Sequence, residues 1–311
     1  GMIGVTQPRR IAAVSVSEYI SRQVTHEAEG FVAYKMRFDD HTRTDTRIKV
    51  MTDGILLQEL KADPMLSRYN IVMVDEAHER SLNIDFVLGL LKRVLEQRSE
   101  FKVVVSSATI NPDIFSQYFD SAPVVSIDTP TYPVTVIYDP PEIENDREAL
   151  VNKITAIVGR IVEEKREGDV LVFLSGEALI KESMKSLQMQ PFRSKLHIQP
   201  LYGRLSREEQ EEVFPPAPKG KTKVVISTNI AETSITISGI TTVIDSGLAK
   251  LNHYNPRTYT SSLIEQAISR ASANQRKGRA GRTQPGICYR LYARNDFERR
   301  PLYTTEEIFR T

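Results

Sequence analysis

The segment that decides the fold is Ile71-Val72-Met73-Val74-Asp75-Glu76-Ala77-His78, in which four apolar residues precede two acidic residues and a histidine. The apolar run is typical of a strand that is buried on both faces of a parallel sheet. In open α/β sheets, ligands bind beyond the carboxyl ends of the strands, which is where Asp75 and Glu76 would lie. A carboxylate there can hold a phosphate-bound Mg²⁺ through water, and a second one can orient or deprotonate an attacking water. The alternative is an acidic turn that follows a strand by chance.

The rest of the chain repeats this alternation of short apolar runs and helix-like stretches, which is the pattern of parallel strands joined by crossover helices. Residues 1–6 also read as a buried strand, and the further apolar runs lie at 103–105, 170–173, 224–226 and 242–244. Helical spacing of apolar residues over 84–95 predicts a helix, and Asn111-Pro112-Asp113 predicts the start of another. The sequence therefore predicts an α/β protein with mainly parallel sheets.

The domain organisation follows from length and from proline. A chain of 311 residues is long enough for about two domains. The proline-marked stretch 128–133 breaks the alternation, so we place a boundary near residue 127 and predict domains over 1–127 and from 128 onward. The second half restarts with a long helix predicted over 146–167, and the polar and aromatic stretch 248–263 predicts a protruding hairpin.

Composition excludes several classes of protein. With 40% hydrophobic and 26% charged residues, the chain is neither disordered nor fibrous. No apolar run approaches the roughly 18 residues that span a bilayer, so we expect no membrane association. A single cysteine, Cys288, cannot form an internal disulfide, which favours a reducing compartment, and we expect a cytoplasmic protein.

Charge is balanced overall but not locally. The net charge of +1 argues against a globally basic nucleic-acid coat. Between Gly247 and Arg294, however, nine Lys or Arg residues face one acid, Glu265. Such a stretch needs an anion nearby, and phosphate is the anion that we predict.

The basic stretch contains a second constellation, Gln275-Arg276-Lys277-Gly278-Arg279-Ala280-Gly281-Arg282. On a helix, Gln275, Arg279 and Arg282 share one face, and the glycines would let a phosphate approach the backbone. Guanidinium groups suit the charge that spreads over a γ-phosphate during its transfer. A solvated basic face is the alternative for such an octamer.

Taken together, these motifs resemble the DEAH-box helicases of superfamily 2, and the bacterial HrpA-like members most of all. The resemblance extends over almost the whole chain, and its motifs occur in the family's order. They are Thr6-Gln7-Pro8-Arg9-Arg10, Thr52-Asp53-Gly54, Asp75-Glu76-Ala77-His78-Glu79-Arg80, Ser107-Ala108-Thr109, Phe173-Leu174-Ser175-Gly176, Ser227-Thr228-Asn229-Ile230-Ala231-Glu232-Thr233-Ser234 and the arginine-rich octamer.

The resemblance implies two tandem RecA-like domains, with ATP or another NTP bound with Mg²⁺ in the cleft between them and a nucleic-acid strand across both. It also implies that the second domain ends near residue 296 and that 297–311 begin an accessory winged-helix domain. The implied catalytic residues are Asp75, Glu76, His78, Gln275, Arg279 and Arg282, with Asp75 and Glu76 holding Mg²⁺ through water. His78 would link the carboxylates to Gln275, and Arg279 and Arg282 correspond to the family's arginine fingers.

Further roles are carried over in the same way. The residues implied to couple hydrolysis to strand movement are Ser107 and Thr109, whose hydroxyls would reach back towards the carboxylates. The residues implied to bind the nucleotide base are Phe214 and Tyr19, the latter at a position where the family usually has arginine. The residues implied to contact RNA are Arg9, Arg10, Thr52, Asp53, Ser175, Gly176, Thr228 and Asn229. Strand-end turns, helix caps, a core phenylalanine and an ordinary surface hairpin remain the alternatives for these features.

One motif of the family is absent from the sequence. The phosphate-binding pattern G-x-x-x-x-G-K-[ST] does not occur in the 311 residues. We therefore expect a fragment of a longer ATP-dependent RNA helicase, truncated at both ends, which is inactive alone. The expected partner is single-stranded RNA, or an RNA duplex with a 3′ overhang, with movement from 3′ to 5′; DNA is less favoured. The alternative is a catalytically dead nucleic-acid-binding or scaffold protein.

Overall fold

The computed structural model describes residues 1–24, 29–108, 112–233 and 235–311. The chain divides into two compact units, one formed by 1–127 with 306–310 and the other by 128–305 with Thr311. Residues 297–305 thus continue the second unit and 306–310 pack with the first, which differs from the separate segment predicted at 297–311. The reason is local bonding, because Glu307 accepts a hydrogen bond from the backbone N–H of Leu82 and Glu306 lies 3.3 Å from the guanidinium of Arg80.

The first unit is built on a mainly parallel sheet with the strand order β3-β2-β4-β1-β5-β6. Its strands are β1 Met2–Gln7, β2 Val32–Met36, β3 Asp39–Asp40, β4 Ile48–Thr52, β5 Tyr69–Val74 and β6 Lys102–Val105. Its α-helices are α1 Arg10–Gln23, α2 Asp53–Ala62, α3 Leu82–Gln97 and α4 Pro112–Tyr118. The strands predicted at the start of the chain and at 71–74, and the helix predicted over 84–95, are confirmed; Asn111, the predicted cap of α4, lies outside the described residues.

Alternation of side chains along the strands creates a core on each face of this sheet. Val72 and Val74 of β5 pack with α2 and α3, whereas Met73 between them packs on the side of α1. In β4, Met51 and Val50 divide in the same way. The result is a layer of helices on each face, which leaves the strand ends as the place for polar loops.

Strand β6 does not fit the expectation of a strand buried on both faces. It pairs with β5 in parallel, Val74 opposite Val105, and it forms the edge of the sheet among the described strands. Its central residue Val104 is 47% exposed. The apolar run correctly indicated a strand, but an apolar run does not specify how many neighbours the strand has.

The second unit contains a parallel sheet with the strand order β7-β14-β11-β8-β10-β9 and a separate antiparallel hairpin. The sheet strands are β7 Val134–Tyr138, β8 Asp169–Phe173, β9 Leu196–Leu201, β10 Thr222–Ser227, β11 Ile240–Asp245 and β14 Gly286–Arg290. The α-helices are α5 Arg147–Glu163, α6 Glu177–Gln188, α7 Arg207–Glu211, α8 Arg270–Gly278 and α9 Arg294–Arg299. The hairpin is β12 Leu248–Asn255 and β13 Thr260–Ala267, so the predicted hairpin is confirmed and its second strand extends to Ala267.

Helix α5 begins where the sequence predicts and ends earlier. The Asp146 side chain accepts a hydrogen bond from the backbone N–H of Ala149, 2.7 Å away, and so caps the first turn. The predicted helix ran to 167, but Lys165 has φ 50° and Gly168 has φ +89°. Two left-handed residues so close together reverse the chain, which then enters β8.

Gly168 gives a testable requirement of this turn. A Cβ at residue 168 would lie 2.2 Å from Cγ2 of Thr241, whose hydroxyl donates to the carbonyl of Glu167. We expect Gly168→Ala to lower the free energy of unfolding by about 2–4 kcal/mol, since it combines left-handed strain with overpacking. Gly220→Ala is the matched control: φ there is +81° with nothing within 4 Å of the new Cβ, so only about 1 kcal/mol should be lost. Urea denaturation measures both losses of stability. Equal losses for the two variants would contradict the expectation, because they would show that the Thr241 side chain moves aside without cost.

Candidate functional site

Asp75 stands at the carboxyl end of β5 and is held by both neighbouring strands. Nε2 of Gln7, the last residue of β1, donates to its Oδ2 at 2.5 Å. The hydroxyl of Ser106, just after β6, donates to its Oδ1, which also accepts from the backbone N–H of Glu76 at 2.9 Å. The carboxylate is therefore fixed in position by three uncharged donors, and its negative charge stays available to a cation.

Glu76 and His78 form the second part of this site. Glu76 has φ 54°, in the left-handed region, and its Oε2 lies 3.3 Å from Nε2 of His78. The other ring nitrogen, Nδ1, accepts from the backbone N–H of Ala108 at 3.2 Å. We therefore assign the proton of a neutral imidazole to Nε2, facing the Glu76 carboxylate. Among the described residues Nε2 makes no hydrogen bond, so His78 lies near Glu76 without bonding to it. Gln275, the predicted partner of His78, belongs to the second unit.

The contact between the loop after β6 and Asp75 differs from the prediction by one residue. The hydroxyl that reaches Asp75 belongs to Ser106, whereas Ser107 is exposed and Thr109 lies outside the described residues. Within the predicted Ser107-Ala108-Thr109 segment, it is the backbone of Ala108 that contacts the site. A motif identifies the loop, but the position at which the strand ends decides which serine faces the carboxylate.

The predicted RNA contacts of the first unit divide into surface and buried residues. Arg10 is exposed at the start of α1, Thr52 is half-buried, and a guanidinium nitrogen of Arg9 lies 3.4 Å from Glu79. Asp53 is only 3% exposed, so its side chain cannot touch a strand on the surface. Its prediction as an RNA contact is corrected, because the carboxyl group is enclosed at the start of α2. Tyr19, predicted to contact the base, is 65% exposed on α1.

The enclosure of Asp53 changes its acidity. Burial raises the pKa of Asp53 to about 7; the Thr6 hydroxyl opposes this shift, and the charges of Glu79 and Asp75 add to it. Among the described residues, Oδ1 of Asp53 has no hydrogen-bond partner. The folded chain therefore favours the neutral carboxyl group.

The raised pKa of Asp53 makes the stability of the folded chain fall as the pH rises. The folded state binds a proton that the unfolded state releases near pH 4, so the contribution of Asp53 to stability is lost as the pH rises from about 4 to about 7. Asp53→Asn should remove that loss and leave the variant more stable than the wild type at pH 8, by an amount on the order of 2 kcal/mol. Urea denaturation at pH 5 and pH 8 measures it. The exposed Asp45→Asn is the control, and an unchanged pH dependence in Asp53→Asn would contradict the assignment.

In the second unit, the arginine-rich octamer contains a residue that the sequence did not single out. Arg276 is fully buried, and its guanidinium binds Glu232 at 2.9 Å and Asp245 at 2.8 Å. It also donates to the carbonyl of Leu248 and lies over the ring of Phe173. Removing one partner of a buried ion pair costs about 3–5 kcal/mol, so Arg276 is a structural residue. In the sequence Arg276 lies between the predicted residues Gln275 and Arg279, and the pattern does not indicate that it is buried.

The two predicted arginine fingers differ in exposure. Arg279 is 9% exposed, and its guanidinium donates to the backbone carbonyls of Glu232 and Ile235. Arg282 is exposed and donates to the hydroxyl of Thr236 at 2.5 Å. Gln275 is half-buried on α8. Arg282 is thus the residue of the pair that presents its charge to solvent.

One glycine of the octamer and part of the local charge excess differ from the prediction. A Cβ at Gly281 would lie 2.5 Å from the carbonyl oxygen of Tyr132, so this glycine permits an approach of protein backbone, where a phosphate was predicted. The excess of basic residues over 247–294 is partly compensated within the unit, since Glu232 and Asp245 lie outside that stretch and neutralise Arg276. The anion predicted from the charge count is in this case carboxylate.

Four of the remaining predicted residues of the second unit follow β8 and β10. Thr228 and Asn229 are half-buried just after β10. Ser175 and Gly176 are buried after β8, and the Ser175 hydroxyl donates to Glu265 of the hairpin. Phe214, predicted to stack on a base, is half-buried.

Two kinds of site are absent from the part of the chain that the structure describes. Within the described ranges, no helix is long and apolar enough to cross a membrane. In the same part of the chain, no group of three or more His, Cys, Asp or Glu side chains is arranged to hold a metal ion by itself.

Comparison with known proteins places this geometry in a class. The family described as "Helicase conserved C-terminal domain" matches residues 149–284. The crystal structure of the Escherichia coli DEAH/RHA helicase HrpB matches the whole chain, with a TM-score of 0.90 and 36% sequence identity. The chain covers 39% of the length of that structure. The two units are therefore tandem RecA-like helicase domains.

The sequence comparison is more specific. The chain is 55% identical over its full length to the ATP-dependent RNA helicase HrpA of Borreliella burgdorferi and 46% identical to that of Escherichia coli. It spans 38% and 24% of the lengths of these relatives. The chain belongs to the DEAH-box helicases and is HrpA-like, as its motifs predict.

Proposed function

We propose that these residues form the motor core of an ATP-dependent RNA helicase. The observation that carries the proposal is the carboxylate pair at the end of β5: Asp75 is fixed by Gln7 and Ser106, and Glu76 lies beside the imidazole of His78. A fixed acceptor next to a second carboxylate is what hydrolysis of a phosphoanhydride needs. Relatives named as ATP-dependent RNA helicases support the same reaction.

The donor chemistry of this pair fits a magnesium ion. Mg²⁺ prefers oxygen ligands and keeps several of its waters, and the carboxylate of Asp75 retains acceptor capacity beyond its three donors. Asp75 and Glu76 would hold the ion through water, and the bound ion would neutralise charge on the phosphates. Glu76 accepts a proton from the attacking water, and His78 lies beside its carboxylate.

The second unit supplies positive charge. Arg282 presents an exposed guanidinium suited to the charge that develops on a γ-phosphate, while Arg279 fixes the loop between Glu232 and Ile235. Phe214 and Tyr19 are the aromatic side chains proposed to contact the nucleotide base.

For the nucleic acid, we propose sequence-independent contacts to the phosphate backbone. The residues that lie at least partly exposed at strand ends or just beyond them are Arg10, Thr52, Thr228 and Asn229. Hydroxyl, amide and guanidinium groups there bind phosphate without reading bases. The proposed partner is single-stranded RNA, or a duplex with a 3′ overhang, with movement from 3′ to 5′ in a cytoplasmic setting. DNA is the less favoured substrate.

A second candidate is a catalytically dead nucleic-acid-binding or scaffold protein. It is favoured by one observation, the absence of the G-x-x-x-x-G-K-[ST] pattern from the 311 residues. The intact carboxylate pair and the exposed Arg282 favour the helicase.

Hydrolysis tests the assignment of Glu76 and Arg282. The 311-residue polypeptide should show no RNA-stimulated ATP hydrolysis, because it has no P-loop lysine. In an active protein that contains these residues, Glu76→Gln and Arg282→Ala should each lower kcat by roughly 10³-fold. Glu96→Gln, an exposed carboxylate on α3, is the control and should retain activity. Full activity in Arg282→Ala would refute the finger, and turnover by the 311 residues alone would refute the need for the loop.

Salt dependence tests the RNA contacts. The affinity for a single-stranded oligonucleotide should fall with salt, and Arg10→Ala should reduce the slope of log K against log salt by about 0.7, the value for one phosphate contact. Arg68→Ala is a matched control, because this exposed arginine precedes β5 at the opposite edge of the sheet. Fluorescence anisotropy at several salt concentrations provides the slopes. A reduction by Arg68→Ala equal to that of Arg10→Ala would contradict a backbone site at the carboxyl edge.

A further inference from the structure

Residues 306–310 form a return segment, because they pack with the first unit after the chain has completed the second. The chain leaves the first unit at 127–128 and rejoins it at 305–306. In the return segment, the short turn Glu307–Phe309 contacts the loop that joins β5 to α3. This loop, 76–81, carries Glu76 and His78. The return segment thus touches the same loop as the candidate active site.

The loop 76–81 has a backbone conformation that side chains disfavour. Glu76 at its start has φ 54° and Arg80 near its end has φ 44°, both in the left-handed region. A residue with a Cβ keeps such a conformation only where the surrounding contacts impose it. Between the two residues lies the single turn Ala77–Glu79, which contains His78. The loop therefore depends on contacts at both of its ends.

The sheet fixes the first end of the loop. The backbone N–H of Glu76 donates to Oδ1 of Asp75 at 2.9 Å, and the backbone N–H of Ala77 donates to the carbonyl of Ser106 at 3.0 Å. Both acceptors belong to residues that directly follow strands, β5 and β6. These bonds hold the start of the loop, and its second half needs other partners.

The return segment fixes the second end. The backbone N–H of Glu307 donates to the carbonyl of Arg80 at 3.2 Å, and Oε2 of Glu307 accepts from the backbone N–H of Leu82 at 2.9 Å. Leu82 is the first residue of α3, and the first N–H groups of a helix have no partner within it. A carboxylate at this position also interacts favourably with the helix dipole. One residue of the return segment thus bridges the loop and the helix that follows.

The Arg80 side chain adds a second link to the return segment. Its guanidinium binds Asp85 of α3 at 2.6 Å and Glu306 at 3.3 Å. The side chains of Arg80 and Glu306 are 25% and 34% exposed, so solvent weakens this ion pair. The main constraint on the loop is therefore the pair of backbone bonds to Glu307.

We propose that Glu307 is a positioning residue for hydrolysis. It fixes Arg80 and Leu82 and thereby keeps the loop that carries Glu76 in the conformation that the reaction needs. Glu307 acts through the loop and does not touch the reacting atoms. Its role in catalysis rests on the proposed helicase function, whereas the fixing of the loop does not.

Amide hydrogen exchange of the 311-residue chain, followed by NMR, tests the fixing of the loop. In Glu307→Ala, the N–H groups of Arg80 and Leu82 should exchange roughly tenfold faster than in the wild type, because a hydrogen bond to a charged group is lost. The N–H of Val72, within β5, should keep its rate and so show that the variant is folded. Glu298→Ala, which removes an exposed glutamate of α9, is the control and should change none of these rates.

A conservative variant identifies the bond that matters. Glu307→Gln keeps a side-chain oxygen that can accept from Leu82, so it should restore most of the protection that Glu307→Ala loses.

Steady-state kinetics tests the role in hydrolysis, in an active protein that contains these residues. Glu307→Ala should lower the RNA-stimulated kcat by roughly tenfold. The same substitution should have no further effect when Glu76 is already glutamine, because Glu307 acts through Glu76. A smaller fraction of folded protein would instead lower the rate by the same factor in both backgrounds.

The two measurements separate the contact from its role in catalysis. Unchanged exchange of Arg80 and Leu82 in Glu307→Ala would overturn the proposal. Faster exchange with an unchanged kcat, or with equal losses in both Glu76 backgrounds, would overturn the role in hydrolysis and leave the helicase proposal standing. Faster exchange in a protein that hydrolyses no ATP would refute the helicase function, and the fixing of the loop by Glu307 would stand.

Discussion

Each unit depends on a carboxylate at the end of an inner strand of its sheet, where it holds the neighbouring loops. In the second unit this is Asp245, the last residue of β11, which is fully buried and accepts from Arg276, the backbone of Gly247 and the Tyr292 hydroxyl. In the first unit it is Asp75, whose donors are uncharged. The difference is decisive for chemistry. The charge of a carboxylate that is paired with a buried arginine is already neutralised. A carboxylate held only by neutral donors keeps a charge that attracts a cation.

The arginine-rich octamer shows a comparable division of labour. Arg276 and Arg279 direct their guanidinium groups inward and fasten Glu232, Asp245 and the loop to Ile235. Arg282, three residues further, is exposed. Planar guanidinium groups can satisfy several acceptors in fixed directions, which lysine cannot do, and this explains why the interior positions are arginine. A motif whose charge looks uniform in sequence therefore contains both buried arginines that hold the structure together and an exposed arginine.

The sequence predicted the parts of the fold that depend on local pattern. Apolar runs located strands β5, β8, β10 and β11, a change to polar and aromatic residues located the hairpin, and the return of the helical pattern located the start of α5. What it did not predict depends on distant partners. The run in β6 has the composition of a central strand and lies at an edge, Asp53 follows a surface motif and is buried, and Ser106 takes the role expected of Ser107. In each case the outcome depends on which residues from elsewhere pack against the site.

The hairpin shows how a contact with residues distant in sequence fixes the position of a locally predicted element. Its outer part exposes apolar side chains, with Leu263 66% exposed. Here the base is fixed to the loop after β8, because Ser175 donates to Glu265 of β13. A displacement of that loop would move the hairpin with it, since the eight residue pairs that join β12 and β13 make the hairpin a continuous ladder. The single acid in the basic stretch, Glu265, therefore joins the base of the hairpin to the loop after β8.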